Sequence, residues 1–288
     1  MLKHAIRGLP ILILATASLC SAPRAEAVVR VAACGDLTKA RETYLVTQDL
    51  TSDGVCFLVK AEGITIDLGG HTLSGGPHND QDGRAVSDGN IARPSLTVKN
   101  GRVEGFTFGI YLLVSPRATL RNLIVVDSKF TGIVVGPNAL VKDCTVQRNG
   151  NDGINIGDSG QLQNCLIGSD SASGGDDSDG NGRFGVVGGE KVLITGNTIG
   201  HNGQTGILVG NGSTVSHNTS NDNGEHGIAV GQKSLVTFNT ANDNTQKGIE
   251  VVVCPATVTN NEASGNAINF YFNNIGAGAC VTNNNTSP

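Results

Sequence analysis

The sequence predicts an all-β solenoid, a chain of short strands wound repeatedly about one axis. Three observations carry that prediction. A Gly followed by alternating apolar residues recurs as Gly132-Ile133-Val134-Val135, Gly153-Ile154-Asn155-Ile156, Gly185-Val186-Val187, Gly206-Ile207-Leu208-Val209, Gly227-Ile228-Ala229-Val230 and Gly248-Ile249-Glu250-Val251. These glycines stand 21, 32, 21, 21 and 21 residues apart, and Gly109-Ile110-Tyr111-Leu112 precedes the first by 23. Aligned at that period, Asn197, Asn218, Asn239 and Asn261 share a column that Cys144 and Cys165 occupy in earlier coils. Finally, the cysteines fall in pairs about one period apart: Cys34 and Cys56, Cys144 and Cys165, Cys254 and Cys280. One coil of this size cannot bury a core alone, so the period implies stacking.

Residues 1–27 read as an export signal. Lys3 and Arg7 give a positive start, Leu9 to Cys20 is apolar, and Ala25-Glu26-Ala27 has the small-x-small form of a cleavage site. The apolar run is too short for a permanent span, and no later stretch is long enough for one. Removing the signal takes the net charge from −5 to about −7. That balance offers no basic field for nucleic acid. It places the chain outside the cell or in the periplasm.

Residues 28–60 depart from the period and carry the first cysteine pair, which predicts an N-terminal cap over an otherwise open sheet edge. The coils start at 61. Ile64-Thr65-Ile66-Asp67-Leu68 and Leu73 form a period-two strand bending at Gly69-Gly70, and Ser95 to Val98 with Arg102-Val103 repeats the form. Between them, Ser74 to Asn90 is rich in Gly, Asp and Asn and reads as a surface excursion. From Gly109 each coil has one grammar: the Gly-Ile-x-Val strand, a turn, a second strand such as Ala139-Leu140-Val141, a third short stretch, and an Asn/Gly/Asp turn. Ile133 and Val135 and their equivalents point inward, and the residue between them points out. The outward positions Val134, Val187, Leu208 and Ala229 then make an apolar stripe. The Asn column reads as a ladder of stacked amides. Neighbouring coils lie ~4.8 Å apart, within disulfide reach. Bonds are therefore expected at Cys34–Cys56 and Cys254–Cys280, with Cys144 and Cys165 equally readable as a bond or as buried thiols.

At this level the chain resembles the right-handed parallel β-helix proteins, the fold of pectate lyases and polygalacturonases. The resemblance rests on the coils and on two phrases, Ile64-Thr65-Ile66-Asp67-Leu68-Gly69-Gly70-His71-Thr72-Leu73-Ser74-Gly75 and Leu96-Thr97-Val98-Lys99-Asn100-Gly101-Arg102-Val103-Glu104-Gly105-Phe106. It implies about nine or ten coils over residues 61–288, and it gives His71 a turn-stabilising role. Polysaccharide-active members work in a groove along the helix side, so columns matter more than linear motifs.

Two such columns precede each repeat Gly. One reads Thr131, Asp152, Phe184, Thr205, His226 and Lys247; the other Phe130, Asn151, Arg183, Gln204, Glu225 and Gln246. Together they suggest a stripe in which Arg183, Glu225, His226 and Lys247 are catalytic and Asp152, Gln204 and Glu250 bind substrate. An Arg or Lys would neutralise a uronate carboxylate, and a His, Lys or Glu would move the proton. A third column, Asp127, Arg148, His201, Asp222 and Asp243, lacks an acid–base pairing and reads as a solvated turn face.

The long coil carries 11 residues beyond the period, around Ser169 to Asn181. Asp177-x-Asp179-x-Asn181-Gly182 matches the opening of a calcium loop, although the twelfth position is Gly188 rather than Glu. The motifs of particular enzymes are missing. Asp176-Asp177 is present, but Glu225-His226-Gly227 replaces the polygalacturonase Gly-His-Gly and no Arg-x-Lys follows. Pro77-His78-Asn79-Asp80 only echoes the Asp-Pro-His-Asp of mannuronan epimerases. Two functions follow: an exported protein that binds or acts on an acidic polysaccharide by lyase, hydrolase or epimerase chemistry, or a non-catalytic surface protein holding glycan or protein along the solenoid side.

Overall fold

A computed structural model describes residues 28–77, 82–169, 177–275 and 278–287. The expected signal, His78 to Asp80, and Asp176 with most of the long-coil surplus lie outside the described residues, as does the side chain of Asp177.

The Gly-Ile-x-Val phrases pair with one another in parallel, coil on coil: Ile133 with Ile154, Ile154 with Val186, Val186 with Ile207, Ile207 with Ile228 and Ile228 with Ile249. They belong to an 11-stranded parallel sheet running from Gly35–Leu37 to Ile268–Phe272. The remaining strands of each coil, for example Leu140–Lys142 and Thr145–Gln147, build an 18-stranded sheet that folds round the other sides. The solenoid therefore has about eleven turns. The additional turns lie before residue 61. The segment read as a cap carries strands that continue the sheets: Val28–Val31 pairs with Thr43–Val46, and Gly35–Leu37 with Val55–Val59. At the other end, Ile268–Phe272 adds a rung on Lys247–Val251. Part of the predicted excursion is also strand. Thr72–Gly75 and Arg84–Ser87 join the sheets, because Leu73, Ala85 and Val86 supply fully buried side chains.

The core is the inward column of each sheet. Ile133, Ile154, Ile207, Ile228 and Ile249 are completely buried, each contributing about 1.5–3 kcal/mol relative to exposure. The Gly of the phrase has a steric cause rather than a conformational one, since Gly227 lacks positive φ. A Cβ on Gly227 would lie 2.7 Å from both the Gly248 carbonyl oxygen and the Asn244 amide nitrogen of the next coil. The strand can pass that close to its neighbour only without a side chain.

Amide ladders satisfy the turns. In the predicted column, Nδ2 of Asn197, Asn218 and Asn239 donates to Oδ1 of the next Asn at 2.9–3.0 Å, ending on Asn261 and Asn285. Each backbone N–H donates to the same oxygen, as Asn197 does to Asn218 at 3.0 Å. A second ladder, absent from the sequence reading, runs Asn149–Asn181–Asn202–Asn223–Asn244–Asn266 with Nδ2···Oδ1 distances of 2.9–3.0 Å. Cys144 and Cys165 occupy the first column as buried free thiols, each Sγ donating to the carbonyl two residues before it. The other two pairs are disulfides, Cys34–Cys56 and Cys254–Cys280.

The column read as a solvated face is a corner of the coil. Asp127, Arg148, His201, Asp222 and Asp243 all have φ between 52 and 58°, the left-handed region that Asp and His tolerate better than most residues. His71 stabilises a turn as the resemblance implied: its Nδ1 lies 3.2 Å from Asp49 Oδ1, which also accepts the Thr72 N–H.

Candidate functional site

Outward residues of the 11-stranded sheet form two columns on one face. One runs Arg84, Phe108, Thr131, Asp152, Phe184, Thr205, His226, Lys247 and Ile268; the other runs Ser87, Tyr111, Val134, Asn155, Val187, Leu208, Ala229, Glu250 and Tyr271. The Lys247 end of the first column is a direct register partner of His226 below and Ile268 above. In the second column Glu250 pairs with Ala229 below and Tyr271 above.

That geometry gathers His226, Lys247 and Glu250 into one cluster and adds Tyr271. Glu250 stands between the other two, with Oε2 3.3 Å from His226 Nε2 and Oε1 bonded to Lys247 Nζ at 2.5 Å. Nζ also lies 4.1 Å from the centre of the Tyr271 ring, a distance at which the ring face attracts a cation. The three side chains are largely covered, at 16, 21 and 13 % exposure for His226, Lys247 and Glu250. Burial holds the His226 imidazole below its ordinary range; Glu250 pulls it back up, Lys247 pushes it down and Glu225 pulls it up. Burial prevails, so the ring is neutral at pH 7. Its Nδ1 is buried with no hydrogen-bond partner, and Nε2 is the nitrogen that faces the carboxylate.

The other predicted residues stand apart from this cluster. Arg183, Gln204 and Glu225 occupy successive rungs beside the same face, linked by the N–H of Gln204 to the carbonyl of Arg183 and that of Glu225 to Gln204. The Arg183 guanidinium lies 5.0 Å from the Phe184 ring centre, and its Nε donates to Gln204 Oε1 at 3.4 Å. Arg183 therefore sits two rungs from His226, roughly 10 Å along the sheet. Asp152 is 7 % exposed, and its carboxylate lies 3.5 Å from the Phe184 N–H, so it serves the turn rather than the groove.

Two of the residues expected to open a calcium loop, Asp179 and Asn181, are engaged with other side chains. Asn181 is 1 % exposed and belongs to the second amide ladder, accepting from Asn149 and donating to Asn202. Asp179 accepts from Arg148 Nη1 at 2.8 Å, and the same guanidinium holds Asp127. Among the described residues no group of three His, Cys, Asp or Glu side chains is placed to hold a metal ion.

Tyr271 was missed because the repeat Gly gives way to Asn269 in that coil. The signal was nonetheless there: Tyr271 follows Glu250 by 21 residues, one full period.

Eleven parallel turns, flat sides and amide-stacked corners define a parallel β-helix. The chain belongs to the right-handed β-helix family, whose "Right handed beta helix region" matches residues 48–182 and 138–287. A search of curated proteins finds no match. Among solved structures, the A-module of mannuronan C-5 epimerase AlgE6 from Azotobacter vinelandii superposes with a TM-score of 0.72 at 17 % identity, covering 91 % of this chain and 89 % of that one. A variant of the periplasmic alginate epimerase AlgG gives 0.62 at 13 % identity, over 88 % and 73 % of the two chains. Pectate lyase Pel9A gives 0.50 at 14 %, over 86 % and 68 %. At such identities the likeness is one of fold.

Proposed function

We propose that this protein is exported, binds an acidic polysaccharide along the outer face of the 11-stranded sheet, and acts on it at His226, Lys247, Glu250 and Tyr271. The observation that carries the reading is the cluster itself: a cation, a neutral imidazole, a carboxylate and a phenol within two columns of one open face. Three of the similar solved structures are named as a mannuronan C-5 epimerase, an alginate epimerase and a pectate lyase, which supports an acidic glycan as the substrate class. The two disulfides suit an oxidising compartment, and no helix among the described residues is long and apolar enough to cross a membrane.

The chemistry such a cluster performs is proton transfer next to a carboxylate. Lys247 meets the uronate carboxylate and stabilises the charge that develops when the adjacent C–H bond breaks. In the catalytic reading the His226 ring leaves Glu250, carries its hydrogen on Nδ1 and accepts that proton at Nε2. Return of a proton from solvent to the opposite side of that carbon inverts it; departure of the neighbouring glycosidic oxygen instead cleaves the chain. Arg183 extends the positive side of the groove two rungs away.

One observation favours a non-catalytic reading. Lys247 and His226 both already meet Glu250, so the cluster is electrostatically closed and would serve as a fixed recognition patch. Incubating the protein with alginate, pectate and glycosaminoglycans, with and without calcium, separates the two. Unsaturated, shortened or epimerised products from the wild type and none from His226→Gln or Lys247→Met support catalysis. Binding with no product from any polymer leaves recognition alone, and neither binding nor product removes the glycan reading.

A further inference from the structure

We propose that Arg84, Phe108, Tyr111 and Phe130 form a second glycan platform at the far end of the same face, so that the protein grips an extended uronate chain at two points. The inference rests on the acidic-glycan reading above and adds where, and over what length, the chain is held.

The four side chains form one cluster on the outer face. The Arg84 guanidinium lies 4.2 Å from the Tyr111 ring centre and 5.8 Å from that of Phe108. Phe108 meets Tyr111 edge-on at 5.3 Å and Phe130 at 5.4 Å. The chain has no Trp, 8 Phe and 3 Tyr, so placing three aromatic residues in one outward patch uses a scarce resource. Phe130 is 38 % exposed, which does nothing for the core. The apolar C–H face of a pyranose ring lies well against an aromatic ring, whose bulk is apolar and rigid.

Arg84 supplies the charge. Its Nη2 reaches Asp82 at 3.4 Å and its Nη1 reaches Ser87 Oγ at 3.3 Å, both long contacts, and Asp82 is 85 % exposed. Nε is buried without a partner. The guanidinium is thus held in position by the rings yet weakly committed to anions, the state in which it takes a carboxylate.

Continuity with the first cluster comes from register. Tyr111, Val134, Asn155, Val187, Leu208, Ala229 and Glu250 are successive partners in one column. Six rungs separate Tyr111 from Glu250, about 29 Å at the usual strand spacing. The floor between is apolar except at Asn155, whose Oδ1 is buried and unpartnered, and a hollow of about 460 Å³ opens over Val134, Asn155 and Val187. Val134 and Ala229 are buried in that stripe and Val187 and Leu208 are half-buried, so Val187 and Leu208 are the bed on which the sugar faces lie between two charged grips.

Titration calorimetry of the full chain with a length series of uronate oligomers and with the polymer tests this, using Phe130→Ala and Arg84→Gln. Phe130→Ala removes an exposed ring and leaves the core intact; matched thermal unfolding of each variant checks this. The wild type binds the polymer more tightly than the shortest oligomer that binds at all. Each variant weakens the polymer on the order of tenfold, the equivalent of ~1.4 kcal/mol, and leaves the shortest oligomer unchanged. Length-independent affinity, unaltered polymer binding in both variants, or equal losses for short and long chains overturns the second platform while the first reading stands. Failure of the wild type to bind any uronate removes both.

Discussion

His226 Nε2 and Glu250 Oε2 lie 3.3 Å apart although 24 residues separate them in sequence, because one coil brings the second over the first. Lys247 completes the arrangement as the register partner of His226. A largely covered imidazole beside a carboxylate that also holds a cation reports on both.

The titration of His226 has a definite sign. Burial lowers its pKa from the ordinary 6.5, so between the folded value and 6.5 the unfolded chain binds more protons than the folded one. The contribution is fully present above 6.5 and falls as pH drops through that window. Histidine NMR should give a midpoint below 6.5. Glu250→Gln should lower the midpoint further and Lys247→Met should raise it; shifts of opposite sign would contradict the arrangement.

Asn218 holds the middle of a ladder. Its Oδ1 accepts from both the backbone and the side chain of Asn197, and its Nδ2 donates to Ile194 and Ser216 carbonyls and to Asn239. Asn218→Ala leaves the buried backbone N–H of Asn197 unsatisfied, while Asn197 Nδ2 keeps the Leu162 and Thr195 carbonyls, at about 1–3 kcal/mol for the group so stranded. Urea unfolding should show a loss of that order, with native spectra retained at low denaturant.

Gly227→Ala tests the close approach of the coils. The added methyl meets the Gly248 carbonyl and the Asn244 amide, so the coils must separate locally, at a cost of about 1–3 kcal/mol. An unchanged melting temperature would show that the glycine has another cause.

Cys254–Cys280 ties the final turns together across 26 residues. Replacing both with Ser should cost about 3 kcal/mol by chain entropy. The effect should be local, because each coil touches only its neighbours. Hydrogen exchange should quicken at Thr257–Thr259 and Val281–Asn283 and stay unchanged at Ile133–Val135.

The fold was legible because one period fixes a solenoid's core, corners and end disulfides together. Within the site, His226, Lys247 and Glu250 were found by the same arithmetic, since residues one period apart become neighbours in a parallel stack. The arithmetic failed where the marker residue changed. Asn269 replaces the glycine and hid Tyr271, and the Gly- and Asp-rich flanks of Arg84–Ser87 hid a strand whose buried Ala85 and Val86 are only two residues long. The ladder role of Asn181 was hidden for a different reason: it lies in an acidic stretch, and its hydrogen-bond partners lie on adjacent coils. Asp152 likewise shares a column with His226 while turning its carboxylate toward a backbone N–H.

The most direct test of the central claim is a product assay on polyuronate with wild type, His226→Gln, Lys247→Met and Tyr271→Phe, alongside binding of the same polymer. The account predicts product from the wild type, loss of at least a hundredfold in rate for His226→Gln, in the range for removing a general acid–base group, and polymer binding retained in that variant. Full activity in both His226→Gln and Lys247→Met would contradict it.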